Sequence, residues 1–152
     1  MGDVNKRSQA ILRMPVDMVD AYMTLHDGDR SDVLLFVPPT EDLSRMLQEG
    51  DAFLAVMRDA AMCFVARTAI ACLRVAIERA PKLEEDFPAE EQRVKVTLRN
   101  GGVIEGVMKW IPFAARGRTG DHLNSDSPLL VITSGEHAHL IVKSHIAMVR
   151  EA

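Results

Sequence analysis

Residues 94–110, Val-Lys-Val-Thr-Leu-Arg-Asn-Gly-Gly-Val-Ile-Glu-Gly-Val-Met-Lys-Trp, limit the fold more than any other stretch of the chain. Val94, Val96 and Leu98 alternate with Lys95, Thr97 and Arg99, the period of a strand with one buried and one wet face. Asn100, Gly101 and Gly102 tolerate positive φ, so a two-residue hairpin turn and a second strand are expected. Gly106 lies inside that second strand, where a missing side chain lets the sheet bend or another backbone come close. A sharply bent strand is how a short sheet curls toward a small barrel.

Ahead of this hairpin, apolar patterning and turn residues predict strands over 21–25, 33–37, 52–57, 60–67 and 71–77. Turns are expected at His26-Asp27-Gly28 and at Arg58-Asp59. A short helix is expected over 5–14, capped by Asn5 and ended by Pro15. A second is expected over 40–50, capped by Thr40 and ended by Gly50. The segment 78–91, charged and containing Pro81 and Pro88, reads as a linker between a first unit at 1–77 and a second at 92–152.

The second unit repeats the first. Pro15, Thr24, Leu25 and Gly28 align with Pro88, Thr97, Leu98 and Gly101 at an offset of 73, which sets Asp27 opposite Asn100. Further on the offset becomes 76, and residues 53–75 run without a gap against 129–151. There Leu54, Ile70, Ala71 and Arg74 match Leu130, Ile146, Ala147 and Arg150, while Arg67-Thr68 faces Lys143-Ser144. The ordered spacing, with its one length change in a loop, is the mark of a duplication. Each unit then reads as two strands, a long loop, two strands, a one-turn link and a closing strand. That is the recipe for a five-stranded SH3-type barrel, so the expected fold is mainly all-β, two tandem barrels with the two short helices above.

A unit of about 60 residues is marginal alone, and packing two together would cover apolar surface that each leaves bare. Residues 33–37 and 62–66 are apolar on both strand faces, so Phe36, Met62, Phe64 and Val65 are expected at an interface with the second unit or another chain. The formal net charge of −4 is uneven: residues 1–87 carry 10 Lys/Arg against 15 Asp/Glu, and residues 88–152 carry 8 against 7. No strongly basic field advertises nucleic acid. No apolar run reaches membrane-spanning length, and the chain's start lacks a signal-peptide layout, so a cytoplasmic location without membrane contact is expected. Cys63 and Cys72 lack a CxxC spacing and read as buried free thiols.

Residues 98–108, Leu-Arg-Asn-Gly-Gly-Val-Ile-Glu-Gly-Val-Met, resemble the first Sm motif of the Sm-like proteins, and residues 142–149, Val-Lys-Ser-His-Ile-Ala-Met-Val, resemble the second in its bacterial, Hfq-like form. The resemblance implies a ring in which the fourth strand of one barrel pairs with the fifth of the next, and whose rim binds single-stranded RNA. It would place Asn100 and Gly101 at a turn on the rim and Lys143, Ser144 and His145 against RNA, with Asp27, Gly28, Arg67 and Thr68 as their counterparts in the first unit. The chain departs from this pattern. Asp27 carries a charge where Asn is usual, Val33 stands where the in-strand glycine would be, and no aromatic side chain holds the stacking position, although Trp110 and Phe113 lie near.

Other constellations weigh less. His137 and His139 share a strand face and, with His122 or Asp121, would make part of a metal site, but nothing equivalent recurs at Ala61 and Cys63. Arg116 and Arg118 sit in a polar loop over 113–127 and offer a phosphate contact. Asp27, Asp29 and Asp32 read as turn residues, and no serine has a nucleophile's setting. The expected function is a non-catalytic assembly or adaptor module, with no cofactor or metal, that self-associates or binds protein through barrel edges. Unpaired edges are adhesive, so a homo-oligomer is expected, either a dimer or a trimer forming a six-barrel ring. The alternative is an RNA-binding Sm-like protein acting through Arg67, Thr68, Asn100, Gly101, Lys143, Ser144, His145, Arg116 and Arg118.

Overall fold

The computed structural model describes residues 16–39, 41–81, 88–112 and 118–152. Ten strands run in chain order as β1 (Asp17–Leu25), β2 (Arg30–Val37), β3 (Phe53–Arg58), β4 (Ala61–Ala66), β5 (Ile70–Ala76), β6 (Glu90–Leu98), β7 (Val103–Trp110), β8 (Leu129–Ser134), β9 (His137–Val142) and β10 (Ile146–Glu151). Among the described residues two short helices, α1 (Leu43–Glu49) and α2 (Thr119–Leu123), fall between β2 and β3 and between β7 and β8. The mainly β expectation holds. The strands form one antiparallel sheet in the order β10-β6-β7-β8-β9-β5-β1-β2-β3-β4, which is not closed. The first half contributes its strands in the order fifth, first, second, third, fourth, and so does the second half. The halves meet where β9 pairs with β5.

The organising hairpin forms with a different turn. Leu98 N donates to Gly102 O at 2.8 Å and Gly101 N to Leu98 O at 2.9 Å, so three residues, not two, bridge the strands. Gly101 takes φ +89°, the left-handed position of that wider loop. The β1–β2 connection repeats it: Leu25 N donates to Asp29 O at 2.8 Å, Gly28 N to Leu25 O at 3.0 Å, and Gly28 has φ +92°. Gly106 is required by crowding. A Cβ there would lie 2.4 Å from Thr133 O and 2.6 Å from Ile132 Cγ2, so β8 can cross β7 only over a bare backbone.

Other boundaries move for local reasons. β1 and β2 extend to Asp17 and Arg30 because their partners continue the ladder, down to the Asp17–Val37 and Thr24–Arg30 pairs. The β3–β4 turn is Asp59-Ala60, one residue beyond the expected Arg58-Asp59, since Arg58 still pairs with Ala61. Both turn residues have positive φ, 51° and 61°, as a tight primed turn demands even without glycine. The helix α1 is capped by Asp42, whose carboxylate accepts from Arg45 N at 2.7 Å. Thr40 is not that cap and, like the expected helix over 5–14, lies outside the described residues. A turn of helix, α2, also occupies the second long loop, where only a polar loop was expected. Within the expected linker, Ile77–Arg79 form a 3-10 turn and β6 already begins at Glu90.

Two apolar cores lie along the sheet. The first gathers Val19, Met23, Leu35, Val56, Ile70, Leu73 and Val75 with Leu43, Met46 and Leu47 of α1. The second gathers Val94, Val96, Leu98, Met108, Trp110, Leu130, Ile132 and Ile141. No described helix is long and apolar enough to cross a membrane.

Candidate functional site

The seam between the halves shows what this sheet does with its edge strands. β5 and β9 pair from Cys72–Ile141 through Leu73–Leu140, Arg74–His139 and Val75–Ala138 to Ala76–His137. Side chains also cross between cores. Leu129, Ala138 and Leu140, from β8 and β9, belong to the first core, whereas Ala71 and Cys72, from β5, belong to the second. Each half therefore fills a gap in its neighbour that its own strands leave open. Burial pushes the Cys72 thiol up to about 12, which makes it an inert packing group.

At the two ends of the sheet the same positions are bare. Among the described residues β4 and β10 each have one sheet neighbour, β3 and β6 respectively. Shifting by 76 residues pairs Phe64 with Leu140, Phe53 with Leu129, Met62 with Ala138 and Met148 with Cys72. Phe64, Phe53, Met62 and Met148 are 69%, 61%, 50% and 58% exposed, while Leu140, Leu129, Ala138 and Cys72 are 0%, 7%, 0% and 3% exposed. The sequence Ala-Met-Cys-Phe-Val-Ala of β4 carries none of the charges or prolines with which exposed edges are usually blunted.

Of the four residues expected at an interface, Met62 and Phe64 lie on this bare face. Phe36 is half-buried, and Val65 packs against the first core because alternation turns it away from Phe64. Phe53 lies beside them on β3, and Met148 is the exposed apolar residue of the opposite edge, β10. Neither looks unusual in the sequence, and the burial of their aligned counterparts, Leu129 and Cys72, singles them out.

The residues expected to touch RNA are held by the protein itself. Arg67 Nη1 donates to the carbonyls of Gln48 at 2.9 Å and Leu47 at 3.4 Å, placing its charge at the C-terminal end of α1. Lys143 Nζ donates to Ser125 O at 3.2 Å and to Ser125 Oγ at 3.3 Å. Burial lowers the Lys143 pKa, opposed by the nearby Asp126 carboxylate. Each cation thus ties the end of its own long loop to the one-turn link after the fourth strand, and Arg67 N to Ala52 O and Lys143 N to Pro128 O, both 2.8 Å, repeat the tie in the backbone. Ser144 is exposed, and its carbonyl accepts from Arg99 Nε at 2.8 Å.

Three of the remaining residues meet at the seam. Asn100 Nδ2 donates to Leu25 O at 3.0 Å while its Oδ1 accepts from Gly102 N at 2.8 Å, and His145 Nε2 lies 2.9 Å from the carbonyl of Thr68. Gly101 and Asn100 line an open groove of about 460 Å³ with Thr24, Gly28 and Arg30 from the other half. Arg118 is exposed, with its backbone N–H on Asp121 Oδ2 at 3.4 Å, and Arg116 lies outside the described residues.

Two of the three histidines singled out for a metal lie beside other side chains. His122 stacks on Trp110, with ring centroids 5.3 Å apart and planes 11° from parallel. His139 is paired with Arg74, whose guanidinium covers the Tyr22 ring at 4.6 Å. Among the described residues no three His, Cys, Asp or Glu side chains stand close enough to hold a metal ion. Asp29 accepts two hydrogen bonds from Arg58, and Asp27 closes its own turn by accepting from Asp29 N at 3.0 Å. Compared with protein-family models, curated proteins and solved structures, the chain matches none.

Proposed function

We propose that this chain is a non-catalytic assembly module, built from two copies of one Sm-like, five-stranded barrel unit, that associates through its open edges β4 and β10. The single observation that carries this reading is the contrast between the covered seam and the bare edges. Among the described residues the same strand positions are filled at β5 and β9 by the other half and left apolar and unpaired at β4 and β10. The unit reading is supported by the identical relative strand order of the halves and by the recurrence of the three-residue hairpin loop, the loop helix and the one-turn link. An edge of the fourth-strand kind at one end and of the fifth-strand kind at the other makes the contact heterologous, which closes into a ring or runs on as a filament.

Magnitudes favour association. Fully burying a large apolar side chain contributes about 1.5–3 kcal/mol, and these four are a little over half exposed, so together they contribute on the order of 5 kcal/mol, within the range of the cost of bringing two proteins together. Backbone ladder bonds and the exclusion of water from the edge then tip the balance. The RNA reading is weaker because Arg67 and Lys143 are committed to carbonyls of their own loops.

The test is light scattering on the purified chain across a concentration series, with the absorbance ratio read in parallel. Particles larger than one chain and free of nucleic acid are expected. A chain that stays single at all concentrations overturns the proposal, and co-purifying RNA lost with Lys143→Glu would replace it with the RNA reading.

A further inference from the structure

We infer that the contact between the β4 edge and the β10 edge of a second copy takes the register of the internal seam, and that Asp27 makes this outer seam the looser of the two. The inference rests on the assembly reading above and adds to it the register and the element that weakens the contact.

The register follows from the internal seam. Shifting the β5–β9 pairs by 76 residues sets Met148 opposite Val65, Val149 opposite Phe64, Arg150 opposite Cys63 and Glu151 opposite Met62. In this register Phe53, Met62 and Phe64 enter the second core of the neighbouring copy, as Leu129, Ala138 and Leu140 enter the first core within one chain. Met148 and Ala147 enter the neighbour's first core, as Cys72 and Ala71 enter the second. A second copy is favoured over an unrelated strand because both edges carry exposed apolar side chains at the positions whose counterparts fill the chain's own internal seam.

The polar contacts beside the seam do not transfer. Internally, Asn100 Nδ2 donates across to the Leu25 carbonyl, and His145 reaches the Thr68 carbonyl. In the outer seam the counterpart of Asn100 is Asp27, that of Leu25 is Leu98, that of His145 is Ala69 and that of Thr68 is Ser144. Asp27 sits in its turn as Asn100 does, one side-chain oxygen accepting from the amide two residues on, at 3.0 Å and 2.8 Å. Its other oxygen therefore takes the place of Asn100 Nδ2 and meets the Leu98 carbonyl, acceptor against acceptor. Ala69 has no polar side-chain atom to offer the Ser144 carbonyl. One seam is fastened at both points and the other at neither, so the chain is a permanent pair of units joined to its neighbours by a reversible contact.

Sedimentation velocity on the full chain and three variants tests this. Asp27→Asn keeps the turn contact and supplies the missing donor, and it is expected to lower the dissociation constant for self-association about tenfold. Phe64→Asp is expected to sediment as a single, folded chain by circular dichroism. Arg150→Cys places a thiol opposite the native Cys63 of a second copy. Mild oxidation is expected to give covalent multimers that disappear when Cys63→Ala is added. If Phe64→Asp associates as the parent does, the assembly reading itself falls. If Phe64→Asp is single but Asp27→Asn associates no more tightly, the unequal-seam inference falls and the assembly reading stands. Multimers that fail to cross-link through Cys63 overturn the register.

Discussion

The β5–β9 seam and the free β4 and β10 edges are aligned stretches of sequence with opposite fates. Leu140 is fully buried and Phe64, its counterpart, is among the most exposed large apolar residues of the described chain. Hydrophobicity alone does not separate them, since phenylalanine is no more polar than leucine. The strand order does, because β9 has a neighbour on both sides and β4 on one. An apolar residue on an edge strand is therefore a statement about a missing neighbour.

The largest expected effect breaks this pair apart. Leu140→Ala removes a wholly buried side chain from the first core and is expected to cost about 2–5 kcal/mol of folding stability. Phe64→Ala, measured at a concentration low enough to keep the chain single, is expected to change stability by no more than about 0.5 kcal/mol. Chemical denaturation of both variants checks this. Equal losses would mean that β4 is covered within one chain, and the contrast between seam and edge would disappear.

A second contrast lies where β8 approaches β7. Gly106 and Val33 occupy aligned positions, yet only the glycine sits where a Cβ collides with Thr133 O and Ile132. Gly106→Ala is expected to destabilise by about 1–3 kcal/mol through overpacking against backbone that cannot yield. A denaturation midpoint unchanged by the substitution would show that β8 can move away from β7.

Acid sharpens the difference between the seams. His139, across from Arg74 in the inner seam, has its pKa held below the usual imidazole range, first by burial and then by Arg74 and His137. His122 is lowered as well, by burial and then by Lys143. A depressed histidine pKa means that the folded chain binds fewer protons than the unfolded one. The stability is therefore complete above the unfolded value of about 6.5 and is lost as pH falls through the folded value. Thermal melts are expected to drop below pH 6.5, with His139→Gln flattening part of the decline. The outer seam places Cys63 opposite Arg150 and has no histidine in that pair, so self-association above pH 5 should not follow the same curve. Parallel curves would mean that the two contacts share a titrating group.

Much of this was legible in the sequence. The hairpin around Asn100-Gly101, the glycine where another backbone comes close and the apolar residues Met62 and Phe64 all lie in short-range pattern, and short-range chemistry sets them. Three kinds of feature were not. The Asp59-Ala60 turn and the Asp42 cap depend on which residue the ladder last pairs and on where α1 begins, and neither is marked by composition. The roles of Arg67 and Lys143 were hidden for a different reason. A cation near a recognisable motif suggests a ligand outside, and only the folded loops reveal carbonyls within reach. The cross-seam bonds of Asn100 and His145 depend on the relative placement of the halves, which no single repeat encodes.

The smallest expected effect concerns a feature that one half has and the other lacks. Arg58 donates to both oxygens of Asp29, at 2.6 and 3.1 Å, joining the β3–β4 turn to the β1–β2 turn. Their aligned counterparts, Ser134 and Gly102, form no such pair. The hydrogen bond from Arg58 holds the Asp29 carboxyl below its usual range, so the contribution is present at neutral pH and lost as pH falls through the folded value. The pair faces solvent, where salt screens it and side-chain ordering offsets its attraction. Arg58→Ala is accordingly expected to shift the melting midpoint only slightly at low ionic strength and not at all in about 1 M salt, where the Debye length is about 3 Å. A large, salt-independent loss would show that the two turns of the first half are locked together. The β4 edge would then be preshaped for its partner by a strut that the second half does without.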